Sequence, residues 1–87
     1  MQFRGKIFRG DKIVLPDVSG TMETDEAIGI SVTDGEFDYR AGAHIGPGTD
    51  CHLVLKDGRK AGLRILRTVS GAGSVRTAHF KLNGGWQ

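Results

Sequence analysis

The chain predicts an all-β fold: a small closed or partly open barrel of about six mainly antiparallel strands with at most one helical turn. Three features carry this reading. Two Asp-Gly dipeptides, Asp34-Gly35 and Asp57-Gly58, sit between apolar runs of period two, and Asp-Gly in that setting marks a hairpin because both residues tolerate the positive φ of a tight turn. No segment sustains the three-to-four-residue periodicity of a helix. The 14 glycines are dispersed rather than clustered into a linker, as the bends of a small barrel require.

Phe3 to Arg9 and Lys12 to Leu15 read as short strands joined by a Gly10-Asp11 turn. Pro16 ends the second of them, since it cannot donate to a ladder. Thr21 to Ala27 reads as one helical turn behind a Ser19 or Thr21 cap. A two-residue loop at Asp34-Gly35 pairs Thr33 with Glu36, Val32 with Phe37, Ile30 with Tyr39 and Ile28 with Ala41. That register collects the apolar side chains on one face and leaves Gly29, Ser31, Thr33, Glu36, Asp38 and Arg40 on the other.

The second hairpin needs a different turn. A two-residue loop at Asp57-Gly58 scatters apolar residues over both faces. A three-residue loop with a left-handed glycine groups Cys51, Leu53, Leu55, Ala61, Leu63 and Ile65 inward, and His52, Lys56, Lys60 and Arg64 outward. Val54 and Leu66 then stay uncovered. Ser74 to Leu82 reads as the last strand, with Ala78, Phe80 and Leu82 on one face, and the expected core joins Leu53, Leu63, Ile30 and Phe80.

Residues 1–87 make one domain, and a chain of this size buries only roughly 60–65% of its unfolded surface, so its stability is modest. The single cysteine excludes an internal disulfide; on an inward face, Cys51 reads as a buried and unreactive thiol. No signal peptide or membrane span is evident and the expected compartment is the cytoplasm. The net charge of +2 is unevenly spread. Residues 1–15 carry Arg4, Lys6, Arg9 and Lys12 against Asp11. Residues 16–50 carry eight acids against Arg40, and residues 51–87 carry Lys56, Arg59, Lys60, Arg64, Arg67, Arg76 and Lys81 against Asp57.

Little supports catalysis, and no catalytic or metal-binding residue and no cofactor is assigned. His44, His52 and His79 lack metal-ligand spacing, and Cys51 and His52, adjacent in a strand, point to opposite faces. Ser19, Ser31, Ser70 and Ser74 lack the context of a nucleophile elbow. The loops Gly46-Pro47-Gly48-Thr49 and Gly71-Ala72-Gly73-Ser74 open no helix, so tight connections between strands explain them as well as phosphate binding does.

The run from Gly46-Pro47-Gly48-Thr49 through the strand Cys51 to Lys56, the strand Gly62 to Thr68 and the closing Ala78-His79-Phe80-Lys81-Leu82 resembles the second half of PilZ-type barrels, bacterial domains that bind cyclic di-GMP. The resemblance covers roughly residues 45–82. It implies ligand residues in an Arg-x-x-x-Arg segment and an Asp/Asn-x-Ser-x-x-Gly motif. In this chain Arg4 and Arg9 stand one residue too far apart, Asp17-Val18-Ser19 has Met22 where glycine is needed, and Gly29-Ile30-Ser31 lacks the acid. A form that has lost the nucleotide, or uses it poorly, and contacts another protein is the expectation.

Three functions follow as expectations. The first is a non-catalytic binding or adaptor barrel acting on a protein partner or as a homodimer, through Val54, Leu66 and Trp86, since Trp is favoured at interface anchors; a frayed chain end or a plug on the barrel mouth is the structural alternative for Trp86. The second is a cyclic-dinucleotide or other anion receptor using Arg4, Arg9 and Arg40. The third is nucleic-acid binding by the basic face of Lys56, Lys60, Arg64 and Arg76, weakened by the lack of interleaved aromatics.

Overall fold

A computed structural model describes residues 1–27, 29–43 and 45–87, with Ala27 described through its backbone. Six antiparallel strands form a closed barrel in the order β1-β2-β3-β6-β5-β4. They are β1 (Gln2–Arg9), β2 (Lys12–Ala27), β3 (Ile30–Arg40), β4 (Asp50–Leu55), β5 (Lys60–Ser70) and β6 (Val75–Asn83). Among the described residues there is no helix.

Period-two patterning produces this arrangement wherever local and global signals agree. Cys51, Leu53 and Leu55 from β4, Ala61, Leu63 and Ile65 from β5, and Ala78, Phe80 and Leu82 from β6 all point into the core. Phe80 is its centre: Phe3 meets it edge-on with ring centroids 5.9 Å apart, and Phe37 lies 5.8 Å away. The β4–β5 hairpin turns through Lys56, Asp57 and Gly58, as the inward pattern predicts. Gly58 has φ 95°, its N–H donates to the Leu55 carbonyl at 3.0 Å, and the Leu55 N–H donates to the Arg59 carbonyl at 2.8 Å. The Gly10-Asp11 turn is present too, with Gly10 at φ 62° and Arg9 paired with Lys12.

The Asp34-Gly35 hairpin is not formed. The chain runs straight through that dipeptide as the middle of β3, and it reverses between Ala27 and Ile30, which pair, with Gly29 at φ 75°. Thr33, Val32 and Ile30 therefore face Thr24, Asp25 and Ala27 instead of Glu36, Phe37 and Tyr39. The expected partnership of Ile28 with Ala41 lies outside the described residues. Ile30, expected in the core, is 64% exposed.

The reason is ladder length. The observed register gives β2 nine partners on β3, from Ser19–Asp38 to Ala27–Ile30, and leaves β3 free to pair along β6; folding β3 back on itself would forfeit both ladders. Gly35 serves a different purpose here. A Cβ on Gly35 would run into the Thr21 carbonyl oxygen, and one on Gly20 into the Glu36 carbonyl oxygen. Glycine at these two positions lets β2 and β3 approach closely where the sheet coils into the barrel.

Two further expectations fail for related reasons. Pro16 does not end a strand: between the pairs Gly5–Val18 and Ile7–Leu15, β1 supplies Lys6 alone while β2 supplies Pro16 and Asp17. Proline is tolerated at such a bulge because the ladder there does not call on its N–H. Thr21 to Ala27, read as a helical turn capped by Ser19 or Thr21, is extended and fully paired with β3.

One consequence of this register organises the surface. β1 pairs with β2 only as far as Thr21, extended by mutual backbone bonds between Met1 and Met22 at 2.9 Å, and β6 pairs with β3 only from Asp34. Among the described residues, 24–27 and 30–33 therefore pair with each other alone, and Glu23 with Asp34 at their base. They form a two-stranded ribbon beyond the barrel, in a molecule measuring 41 × 25 × 23 Å.

Candidate functional site

Arg4, Arg9 and Arg40, the anion set, do not converge in one pocket. Arg4 grips Asp17 with two bonds, Nε to Oδ1 at 2.9 Å and Nη2 to Oδ2 at 2.7 Å. Hydrogen bonding to Arg4 holds the Asp17 carboxyl below the usual carboxylate range, and hydrogen bonding to Asp17 raises the guanidinium. Arg9 sits at the far end of β1 beside the Gly10-Asp11 turn. Arg40 ends β3 and lines a groove of about 380 Å³ that also includes Asp17 but neither Arg4 nor Arg9. Asp17 is thus common to the surroundings of Arg4 and Arg40. The segments singled out by the PilZ resemblance, Arg4 to Arg9 and Asp17 to Ser19, lie on neighbouring strands with Arg4 opposite Ser19.

The basic set is exposed but dispersed. Lys56 lies in the β4–β5 turn, Lys60 opens β5, and Arg76 pairs with Ser70 at the other end of that strand. The intervening ten residues of strand correspond to roughly 33 Å. Arg64 is held by Asp50, which faces it across the ladder, with bonds of 2.9 and 3.3 Å. Phe3, Phe37, Tyr39 and Phe80 are all buried, so they offer no platform on which bases could stack beside these cations.

Cys51 is buried, and desolvation raises its thiol pKa. His52, its neighbour, is exposed on the opposite face. His79 Nδ1 lies 3.5 Å from Glu36 Oε2. His44 lies outside the described residues. Among the described residues no three His, Cys, Asp or Glu side chains gather as a metal site would.

Val54, Leu66 and Trp86 fall in three different places. Val54 is half-buried between Lys6 and Lys60, its ladder partners. Leu66 is 50% exposed because it is the extra residue of a bulge between the pairs Ile65–Phe80 and Arg67–His79. It borders a groove of about 480 Å³ whose opposite wall is Thr21, Glu23, Asp34 and Glu36 from the base of the ribbon. Trp86 is half-buried against the core at the same end of the barrel. Gly84, at φ 82°, turns the chain after β6, and two backbone bonds between Gln87 and Lys60, 2.8 and 3.1 Å, hold the segment along β5.

At the foot of the ribbon is a cavity of about 400 Å³ lined by Met1, Met22, Glu23, Asp25, Arg59 and Trp86, among others. The Arg59 guanidinium lies over the indole, 5.5 Å from the ring centroid, a favourable placement for a cation on a π-face. The ribbon above it carries Glu23, Asp25 and Glu26 on β2 with no basic residue, and Ile30 exposed on β3. Thr24 and Thr33 share a hydrogen bond of 2.7 Å across it, and Ser31 donates to Glu26 at 3.2 Å.

Sequence reasoning missed the ribbon because it placed the turn at the stronger dipeptide. A legible signal existed: pairing about residues 28 and 29 sets Gly20 against Phe37 and Gly35 against Met22, a small residue against a large one on the core face. No protein-family model, curated protein or solved structure matches this chain.

Proposed function

We propose that this protein is a non-catalytic β-barrel binding module, of adaptor type, that works through protein contacts at the end of the barrel bearing the β2–β3 ribbon. The observation that carries this reading is the ribbon itself. Among the described residues, 23–27 and 30–33 each have a strand partner on one side only, and Ile30 on the ribbon is 64% exposed. Open strand edges display backbone donors and acceptors that another chain completes by adding a strand. Trp86 and Leu66 border the same end through the two cavities at the ribbon's base, whereas Val54 lines a separate groove with Lys6 and Phe8. The contact surface is accordingly assigned to the ribbon, Leu66 and Trp86, without Val54.

A photo-crosslinking side chain placed at position 30 and exposed to extract from cells that make the protein tests this. Protein adducts at position 30, absent when the same side chain is placed at Pro47, are expected. Equal labelling at both positions, or none at position 30, contradicts the reading.

A second reading, a cyclic-dinucleotide receptor in a PilZ-like barrel, is favoured by one observation: Arg4, Asp17 and Ser19 meet across β1 and β2, with Arg40 near Asp17. The Arg4 fork is already filled by Asp17, so a phosphate would have to displace a carboxylate. Calorimetry with cyclic di-GMP separates the two readings: a saturable signal lost in Arg4→Ala supports the receptor, and silence supports the protein-binding module.

A further inference from the structure

The ladder between β1 and β2 ends where Met1 and Met22 exchange backbone bonds, and from Glu23 to Ala27 the outer edge of β2 has no neighbour among the described residues. Directly beside that edge lies the 400 Å³ cavity between Trp86 and the carboxylates Glu23 and Asp25. Its aromatic wall already holds a cation, the Arg59 guanidinium. We infer that this edge takes an extended, lysine- or arginine-rich segment of another protein as an added strand, with one cationic side chain entering the cavity beside Trp86. The inference rests on the assignment of the ribbon as the contact surface and names the chemistry of its partner.

Charge selects this occupant over others. A strand added to β2 sets alternate residues across from Glu23 and Asp25, which share one face, and the residue beyond them toward Glu26 on the other. Opposite charges in directly facing positions stabilise a ladder and like charges destabilise it. From residue 16 to residue 39 the chain contains no lysine or arginine, so the ribbon itself supplies no cation to these carboxylates; Arg59, which shares the cavity with Glu23 and Asp25, comes from the β4–β5 turn. A second copy pairing through the same edge would set acid against acid, and an acidic partner would meet the same repulsion. A neutral strand would gain the backbone bonds alone. A basic strand gains those bonds and the cross-strand pairs, and a cationic side chain that reaches the Trp86 face exchanges with Arg59 there.

Three ten-residue peptides titrated into the isotopically labelled full chain at low salt test the inference: alternating Lys and Val, alternating Glu and Val, and the Lys and Val peptide with alternate backbone nitrogens methylated. Binding is read from amide shifts, amide protection and Trp86 emission. The Lys and Val peptide is expected to bind, to perturb amides 23–27 and to change Trp86 emission. The Glu and Val peptide is expected to leave both unchanged, and backbone methylation is expected to weaken binding at least tenfold by removing ladder donors. Asp25→Lys should also weaken it at least tenfold, and Asp25→Asn, which alters no shape, should weaken it by a smaller factor in the same direction. Binding that ignores both substitutions, equal binding of the basic and acidic peptides, or dimerisation through residues 23–27 would overturn the inference. If the peptides fail while position 30 still crosslinks to a protein, the basic-strand inference falls and the contact surface stands; if both fail, both fall.

Discussion

The Arg59 guanidinium lies 5.5 Å from the centre of the Trp86 indole, and through it the β4–β5 turn is tied to the segment that follows β6. The same turn is braced from within, since Asp57 accepts bonds from the Arg59 backbone N–H and Nε at 2.9 and 2.8 Å. Trp86 in turn packs on the core at the barrel's mouth. Arg59→Ala is expected to shift the emission of Trp86, the chain's single tryptophan, and to lower stability by about 0.5–1 kcal/mol, the scale of an exposed cation–π contact. Fluorescence and denaturant titration check this, and an unaltered spectrum would show that the stacking is not populated.

The core has little redundancy in a domain this small. Leu63 is fully buried and pairs with Cys51 on one side and Leu82 on the other. Leu63→Ala should cost about 2–5 kcal/mol, through lost transfer energy and the cavity left behind, against a total that is itself marginal. Chemical denaturation measures the difference. A variant as stable as the parent would place Leu63 outside the core.

Glycine does two separable jobs. At Gly58 the requirement is positive φ, with open space where a side chain would stand; at Gly35 φ is ordinary and the obstacle is the Thr21 carbonyl oxygen. Gly35→Ala is therefore expected to destabilise by about 1–3 kcal/mol through overpacking, as denaturant titration would measure. If instead Gly35→Asn is neutral or stabilising, as a left-handed turn position allows, the chain reverses at Asp34-Gly35 after all.

These cases show what a single sequence makes legible. At Asp57-Gly58 the turn signal and the inward alternation of Cys51 to Leu55 and Ala61 to Ile65 select the same register, and the structure adopts it. At Asp34-Gly35 the local signal competes with ladders to β2 and β6 that involve residues far away in sequence, and those ladders win. Pro16 misleads similarly, because a bulge that excuses its missing N–H is invisible until the register of β1 against β2 is known. The acidic bias of residues 16–50 is plain in the sequence, but the placing of Glu23, Asp25 and Glu26 on the ribbon depends on where the chain turns. Arg4 and Asp17 are each visible as charged residues; that they bind each other follows only from the β1–β2 pairing.

That pair predicts a pH response. The Asp17 carboxyl is held low by Arg4, so the stability it contributes is present above the unfolded carboxyl's pKa, about 3.9, and is lost as pH falls through the lower folded value. A carbon-detected NMR titration should show Asp17 titrating below the usual range in the parent and moving upward in Arg4→Ala. Because both groups are exposed, high salt should narrow the gap. An Asp17 midpoint unaffected by Arg4→Ala would contradict the pairing.

The central claim is that β2 and β3 form one long ladder that continues past the barrel as a ribbon. The most direct measurement is a nuclear Overhauser map of the cross-strand contacts along β3. Contacts between Thr24 and Thr33, whose hydroxyls lie 2.7 Å apart, and between Asp25 and Val32 are the predicted result; contacts between Val32 and Phe37, the mark of a turn at Asp34-Gly35, would contradict it.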